Sequence, residues 1–462
     1  MRLSSRAAAG ATLALLMVAA TSSPGWASAY PKPLEQQWWF TTWGVQDRLW
    51  PITQGQGVTV AVLDSGVQAS IPELSGVVLP GTDASSGGGD GRTDVDKSEV
   101  PGHGTGMASL IAAQGRGTGF VGVAPRVKIL PVVTEGLNGA ASAIRYAADH
   151  KAKVISVSQA GRAACPSDVQ EAVGYAIERD VVIVAAAGND GDTTNASVFP
   201  ANCSGVLAVG AVDYRFRPWA KTQRQPYVAV AAPGAQVGSV LRDGEFHPSS
   251  GGTSSATALT SAAVALVRSK FRAMPARDVV QRIIASAGDV GAPGKDRQTG
   301  YGLIRPYRAL TQSAPKNAPN PVFAAYDKWA AANKADAAGR SKADGSKSDT
   351  DAPIAWRALT ILVIPVVIAI LAVVFFGSRS RRRRPAPSGF LQPGGFPRPG
   401  GHPTPGDPYP RPGRTPGAPP GAPPHFAPRD GGPRPHGAPP PPQNQNPDRR
   451  PDQWDAPGRD QR

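Results

Sequence analysis

The sequence is short of several features that would make it a binding module. Cysteine occurs only at Cys165 and Cys203. No histidine lies near either, so metal binding there is the weak alternative to a disulfide. Glycines 115, 117 and 119 are followed by no phosphate-loop Lys-Ser/Thr and precede a strand-like run rather than a helix, which excludes nucleotide binding. The acidic run Asp83, Asp90, Asp94, Asp96 and Glu99 is interrupted by glycines and lacks EF-hand spacing. It reads as a solvated insertion, and neither a metal nor another cofactor is expected. A basic face is missing too. The 462 residues carry 49 Lys+Arg against 34 Asp+Glu, a net charge of +15, but the surplus sits at the ends. Residues 378–462 hold 14 Arg against 6 Asp, and 25 of the 48 prolines follow Arg384. With Arg2, Arg6 and Arg357 also set aside, residues 30–352 carry only +4. Nucleic acid is therefore not expected as a partner.

The ends instead address the chain to a membrane. Arg2 and Arg6 precede the apolar run 7–20, and Ala27-Ser28-Ala29 forms a small-residue cleavage site. That is the layout of a secretory signal peptide over 1–29, leaving Tyr30 as the mature start. Residues 358–376 are uncharged, and 19 helical residues cover roughly 28 Å, about one hydrocarbon core. Pro365 inside that run is tolerated in a membrane helix. Arg379 and 381–384 follow it, a positive flank that belongs on the cytoplasmic side. A transmembrane helix is thus expected over 354–377, with the globule outside the cytoplasm. The Pro/Gly/Arg-rich tail 378–462, on the cytoplasmic side, cannot bury enough surface to order itself. Residues 312–353, rich in Ala, Lys, Asp and Ser, read as a linker. An exported globule with an even cysteine count predicts a Cys165–Cys203 disulfide. Closing a loop of 38 residues would stabilise by ~3–4 kcal/mol.

Within 54–311, continuous apolar runs at 58–63, 127–133, 154–158, 181–186, 206–212 and 227–231 read as strands covered on both faces. Helical spacing occupies 105–114, 140–149, 168–179 and 255–270. This alternation predicts an α/β fold, a doubly wound parallel sheet with helices on both faces. Chemistry in such sheets gathers at the carboxyl ends of the strands.

Three motifs fall at such boundaries. The first apolar run ends in Asp64-Ser65-Gly66, Gly102-His103-Gly104-Thr105 opens one helix, and Gly252-Thr253-Ser254 opens another. Alone, each has a plain explanation as a turn, a helix start or a cap. Together, the order Asp, His, Ser on one α/β sheet is that of a serine triad. The segments Val60-Ala61-Val62-Leu63-Asp64-Ser65-Gly66-Val67, Gly102-His103-Gly104-Thr105 and Gly252-Thr253-Ser254 resemble the signatures of the subtilisin-like serine proteases. Gly122-Val123-Ala124-Pro125, Ala186-Ala187-Gly188-Asn189 and Ala232-Pro233-Gly234 resemble connecting segments of that family.

The resemblance implies roles. Ser254 would be the nucleophile, His103 its base and Asp64 the group that orients the imidazole. The Asn189 side chain and the Ser254 N–H would face the oxyanion. Ser158-Gln159-Ala160 and Ala186-Ala187-Gly188 would wall the primary specificity pocket, with the disulfide tying the loops that follow. Ser255 and Ala258 depart from the family's bulky residue and proline after the serine, and Gly106 replaces a second histidine. Only 34 residues separate Tyr30 from Asp64, too few for a folded inhibitory pro-domain. Trp38, Trp39, Trp43 and Trp50 in 30–53 are expected to pack this extension onto the globule. Signal peptide, short extension, disulfide and C-terminal anchor resemble the mycosins of actinobacterial type VII secretion. The resemblance implies an endopeptidase acting on an exported protein beside a type VII membrane complex. The alternative is a protease-like scaffold stabilising that complex, with cleavage secondary.

Overall fold

A computed structural model of the chain describes residues 31–248 and 251–346. The expected signal peptide, transmembrane run and tail lie outside the described residues. Among the described residues no helix is long and apolar enough to cross a membrane. Residues 31–340 belong to one compact unit and 341–346 to a second.

Seven strands form one parallel sheet: β1 (Thr59–Asp64), β2 (Thr82–Asp83), β3 (Lys128–Val133), β4 (Val154–Val157), β5 (Val182–Ala186), β6 (Val206–Val212) and β7 (Val228–Pro233). Their order is β2-β3-β1-β4-β5-β6-β7. A separate antiparallel hairpin pairs β8 (Ser239–Val240) with β9 (Phe246–His247). The helices are α1 (Trp38–Trp43), α2 (His103–Ala112), α3 (Ala140–Asp149), α4 (Ser167–Glu178), α5 (Thr253–Lys270), α6 (Ala276–Ala285), α7 (Pro306–Thr311) and α8 (Pro321–Ser346). The six strands and four helices read from hydrophobic periodicity all form, with ends within two residues.

The strands are apolar throughout because both faces are covered, and alternate side chains enter different cores. In β1, Val60 and Val62 join the core that holds α2 and α5. Ala61 and Leu63 join the core that holds α3 and α4. β5 divides likewise, with Val182 and Val184 on one side and Ile183 and Ala185 on the other.

Two segments outside the periodic region also belong to the globule. Trp39, Trp43 and Trp50 of the N-terminal extension are buried in the α2–α5 core. Trp38 lies at its edge, with Nε1 donating to the Gln236 carbonyl at 3.1 Å. The stretch 312–353, read as a linker, departs from that expectation over Pro321–Ser346, which is helical. Val322 and Phe323 are buried in the same core, and Tyr326 and Trp329 lie against Gly174 of α4. The alanines that suggested a linker are the best helix formers, and the four apolar residues recur at helical spacing.

Candidate active site

β1 lies between β3 and β4, where successive strands change sides of the sheet, and such a switch opens a crevice beyond the strand ends. Asp64, the last residue of β1, is fully buried. His103 is the first residue of α2, and its Nδ1 lies 2.7 Å from Asp64 Oδ1. That oxygen also accepts the Ser65 N–H at 2.8 Å. An ionised carboxylate can only accept, so Nδ1 carries the proton of this contact and Nε2 is left for another partner. Burial opposes a charge on His103. The Asp64 carboxylate and its hydrogen bond, then Asp96 and Asp94, outweigh it, and the imidazole is pushed up to about 9. His150 and His247 lie away from this pair, the first bonded to the Tyr146 carbonyl and the second to Asp243.

Two members of the acidic run, Asp94 and Asp96, depart from the solvated insertion expected there, whereas Glu99 is exposed. Asp94 is 3% exposed. Its carboxylate accepts the Thr105 N–H (2.8 Å), the Thr105 hydroxyl (2.5 Å), the Ser65 hydroxyl (2.8 Å) and the Asp96 N–H (3.1 Å). Burial pushes the Asp94 carboxyl up despite these bonds. Asp96 Oδ2 accepts the N–H groups of Gly102 (2.9 Å) and His103 (3.0 Å). The two aspartates thus cap the first turn of α2 from a distance, tie it to the end of β1 and add negative charge at its positive end. Arg242, in the β8–β9 turn, braces the loop by donating Nη1 to the carbonyls of Asp94 (3.1 Å) and Asp96 (2.7 Å). A signal for this was present: the residue at the cap position of α2 is Gly102, which has no side chain to cap it, so the free N–H groups had to find acceptors elsewhere. Gly106 has a local reason as well. A Cβ there would sit 2.8 Å from Ser239 Oγ and 2.9 Å from Leu241 Cδ2, so glycine lets the hairpin close on α2.

Ser254 is the second residue of α5. Its hydroxyl donates to the Ser158 carbonyl at 2.8 Å and makes no hydrogen bond to His103 in this arrangement. The Ser158 hydroxyl in turn donates to the Ser254 carbonyl at 3.2 Å. Asn189 Oδ1 accepts both the N–H (3.0 Å) and the hydroxyl (2.7 Å) of Thr253. Those donors fix the orientation of the amide and leave its Nδ2 as a donor beside Ser254. Among the described residues the Ser254 N–H has no acceptor, as expected of a first-turn group.

A cavity of ≈ 310 Å³ opens beside Ser254. Ser158, Ala160, Gly188 and Asn189 line it; Gln159 and Ala187 do not. The Gln159 side chain accepts from the Thr134 hydroxyl (2.9 Å) and the Leu137 N–H (3.3 Å), and Ala187 is buried. Pattern reading of the walls missed Arg162, Asp190, Val198 and Gln223, which also line the cavity. They lie in loops, where hydrophobic periodicity carries no signal. Cys165 and Cys203 form a disulfide. Beside it, Gly161 and Phe199 exchange two backbone hydrogen bonds of 2.9 Å, and Asn202 Nδ2 donates to the Ala163 carbonyl at 2.8 Å.

Known proteins are similar to this chain in sequence and in fold. Residues 55–302 match the peptidase S8, or subtilase, family. The chain is 32% identical to fervidolysin of Fervidobacterium pennivorans over 60% of its own length, but spans only 44% of that protein. It is 33% identical to mycosin-4 of Mycobacterium tuberculosis, over 74% of this chain and 82% of the relative. The crystal structure of MycP1 from Mycobacterium smegmatis is similar at 28% identity and a TM-score of 0.54, covering 63% of this chain and 91% of that one. A chain of the periplasmic assembly from the ESX-5 inner membrane complex is similar at 29% identity and a TM-score of 0.51, covering 63% of this chain and 89% of that one. Matched by the family over more than half its length, and by a mycosin over most of both chains, this chain belongs to the subtilase family and, within it, to the mycosins.

Proposed function

We propose that the chain is a membrane-anchored, extracytoplasmic serine endopeptidase that processes exported proteins at a type VII secretion complex, using Asp64, His103 and Ser254. The observation that carries this reading is the 2.7 Å contact between His103 Nδ1 and the buried Asp64; Ser254, at the start of α5, borders the ≈ 310 Å³ cavity together with Asn189. The mycosin relatives and the similarity to a chain of the ESX-5 assembly support the secretion setting.

The chemistry follows from the groups in hand. Ser254 first turns its hydroxyl from the Ser158 carbonyl toward His103. Neutral His103 takes the hydroxyl proton at Nε2 as the oxygen attacks the peptide carbonyl. Asp64 holds the imidazole and stabilises the imidazolium that forms. The oxyanion faces the Asn189 amide and the Ser254 N–H, assisted by the positive end of α5. His103 returns the proton to the departing amine, and water, activated the same way, releases the acyl group. An imidazole pushed up to about 9 is protonated at neutral pH, so this step strengthens as pH rises.

A scaffold role is the second reading, favoured by the resting Ser254–Ser158 hydrogen bond and by the relative's place in an assembly. Exported proteins from cells carrying Ser254→Ala separate the two. Loss of a processed species with secretion otherwise intact supports the peptidase. Unaltered processing, in cells where deletion of the whole chain stops export, supports the scaffold.

A further inference from the structure

The cavity beside Ser254 contains two charges, and they cancel. Arg162 follows the wall that begins at Ser158, and Asp190 follows the wall that begins at Ala186. Arg162 donates Nε (3.0 Å) and Nη2 (2.8 Å) to Asp190 Oδ2. Both residues line the cavity. Gln223 is already engaged: its Oε1 accepts the Asp190 N–H at 2.6 Å, and its Nε2 donates to the Ala196 carbonyl at 3.3 Å. The rest of the lining, Ala160, Ala186, Gly188 and Val198 with Ser158, Asn189, Thr253 and Ser254, carries no charged side chain.

Resting on the peptidase reading above, we infer that the Arg162–Asp190 pair sets the substrate class, selecting an uncharged side chain at the residue whose carbonyl Ser254 attacks (P1). A cationic P1 side chain meets Arg162, whereas an anionic one meets Asp190. Either loses water in a cavity that offers it no net counter-charge, so both are disfavoured relative to a small neutral side chain. The pair is held in register by the Gly161–Phe199 backbone bonds on one side and by Gln223 on the other. With 59% and 32% of their side chains exposed, the two ions contribute little to stability. Their effect is on what enters the cavity, and either can be removed from a folded chain.

The test uses the full-length chain in detergent and three fluorogenic peptides that differ only in Ala, Lys or Glu at P1. The wild-type chain should cleave the Ala peptide best. Arg162→Ala leaves Asp190 unpaired and should raise the Lys:Ala ratio of kcat/KM about 10- to 100-fold, the worth of a charged hydrogen bond. Asp190→Ala should raise the Glu:Ala ratio similarly, and the double variant should return to a neutral preference. An identical ranking in all four chains, with each still labelled at Ser254 by a fluorophosphonate, overturns the pair's role and leaves the peptidase reading standing. So does a wild-type preference for Lys or Glu. A wild-type chain that takes no label fails both readings together.

Discussion

Peptidase activity and fold stability should move in opposite directions between about pH 6.5 and pH 9, because both depend on the charge of one imidazole. The folded-state value of His103 is raised, from 6.5 to about 9. The His103–Asp64 pair therefore stabilises the fold fully below pH 6.5 and loses that contribution as pH rises through 9. Undiminished, the change would be worth roughly 3 kcal/mol. With 40% of the His103 side chain exposed, screening by water leaves about 1–2 kcal/mol. Catalysis needs the neutral ring, so kcat/KM should climb about tenfold per pH unit and flatten only near 9. Asp96→Asn removes one of the charges that raise His103 while keeping an oxygen for the Gly102 and His103 N–H groups. Its activity profile should shift toward acid. Stability is read from urea unfolding by tryptophan fluorescence, as the difference between wild type and His103→Ala at pH 6.5 and 9; that difference should shrink with pH. A wild-type profile already flat by pH 7, unmoved by Asp96→Asn, refutes the electrostatic coupling.

Three further outcomes are expected. Asn189→Ala removes the donor beside Ser254 and should lower kcat by about 10²–10³ with little change in KM; a loss confined to KM would deny it a role in the transition state. Asp94→Ala strands the N–H and hydroxyl of buried Thr105, at about 1–3 kcal/mol each, and should destabilise by ~2–4 kcal/mol in the same urea assay. A change below 1 kcal/mol would mean that water reaches that turn. Replacing Cys165 and Cys203 together by alanine should cost about 3–4 kcal/mol for the 38-residue loop and lower peptide cleavage. Unchanged stability and cleavage would separate the disulfide from the cleft.

Legibility in the sequence followed periodicity. Strands such as Val182–Ala186 are apolar at every position because two cores cover them, a pattern visible without coordinates. Asp64, His103 and Ser254 stood out as candidates because each lies at the end of a strand or the start of a helix. Asp94 and Asp96 did not, since an aspartate that caps a helix from six or more residues away looks like any loop acid until the chain folds back. Arg162 and Asp190 escaped notice for the same reason: a cross-wall ion pair has no spacing. Pro321–Ser346 was misread because alanine-rich composition suits both a linker and a helix. Only the positions of Val322, Phe323, Tyr326 and Trp329 distinguish the two.

The central claim, that Ser254 is an activated nucleophile, is tested most directly by covalent chemistry. Full-length chain is treated with a fluorophosphonate at pH 9 and digested, and the adduct is located by mass spectrometry. A phosphonylated Ser254, abolished by His103→Ala and absent from Ser254→Ala, is the predicted result. A folded wild-type chain left unmodified at Ser254 would contradict it.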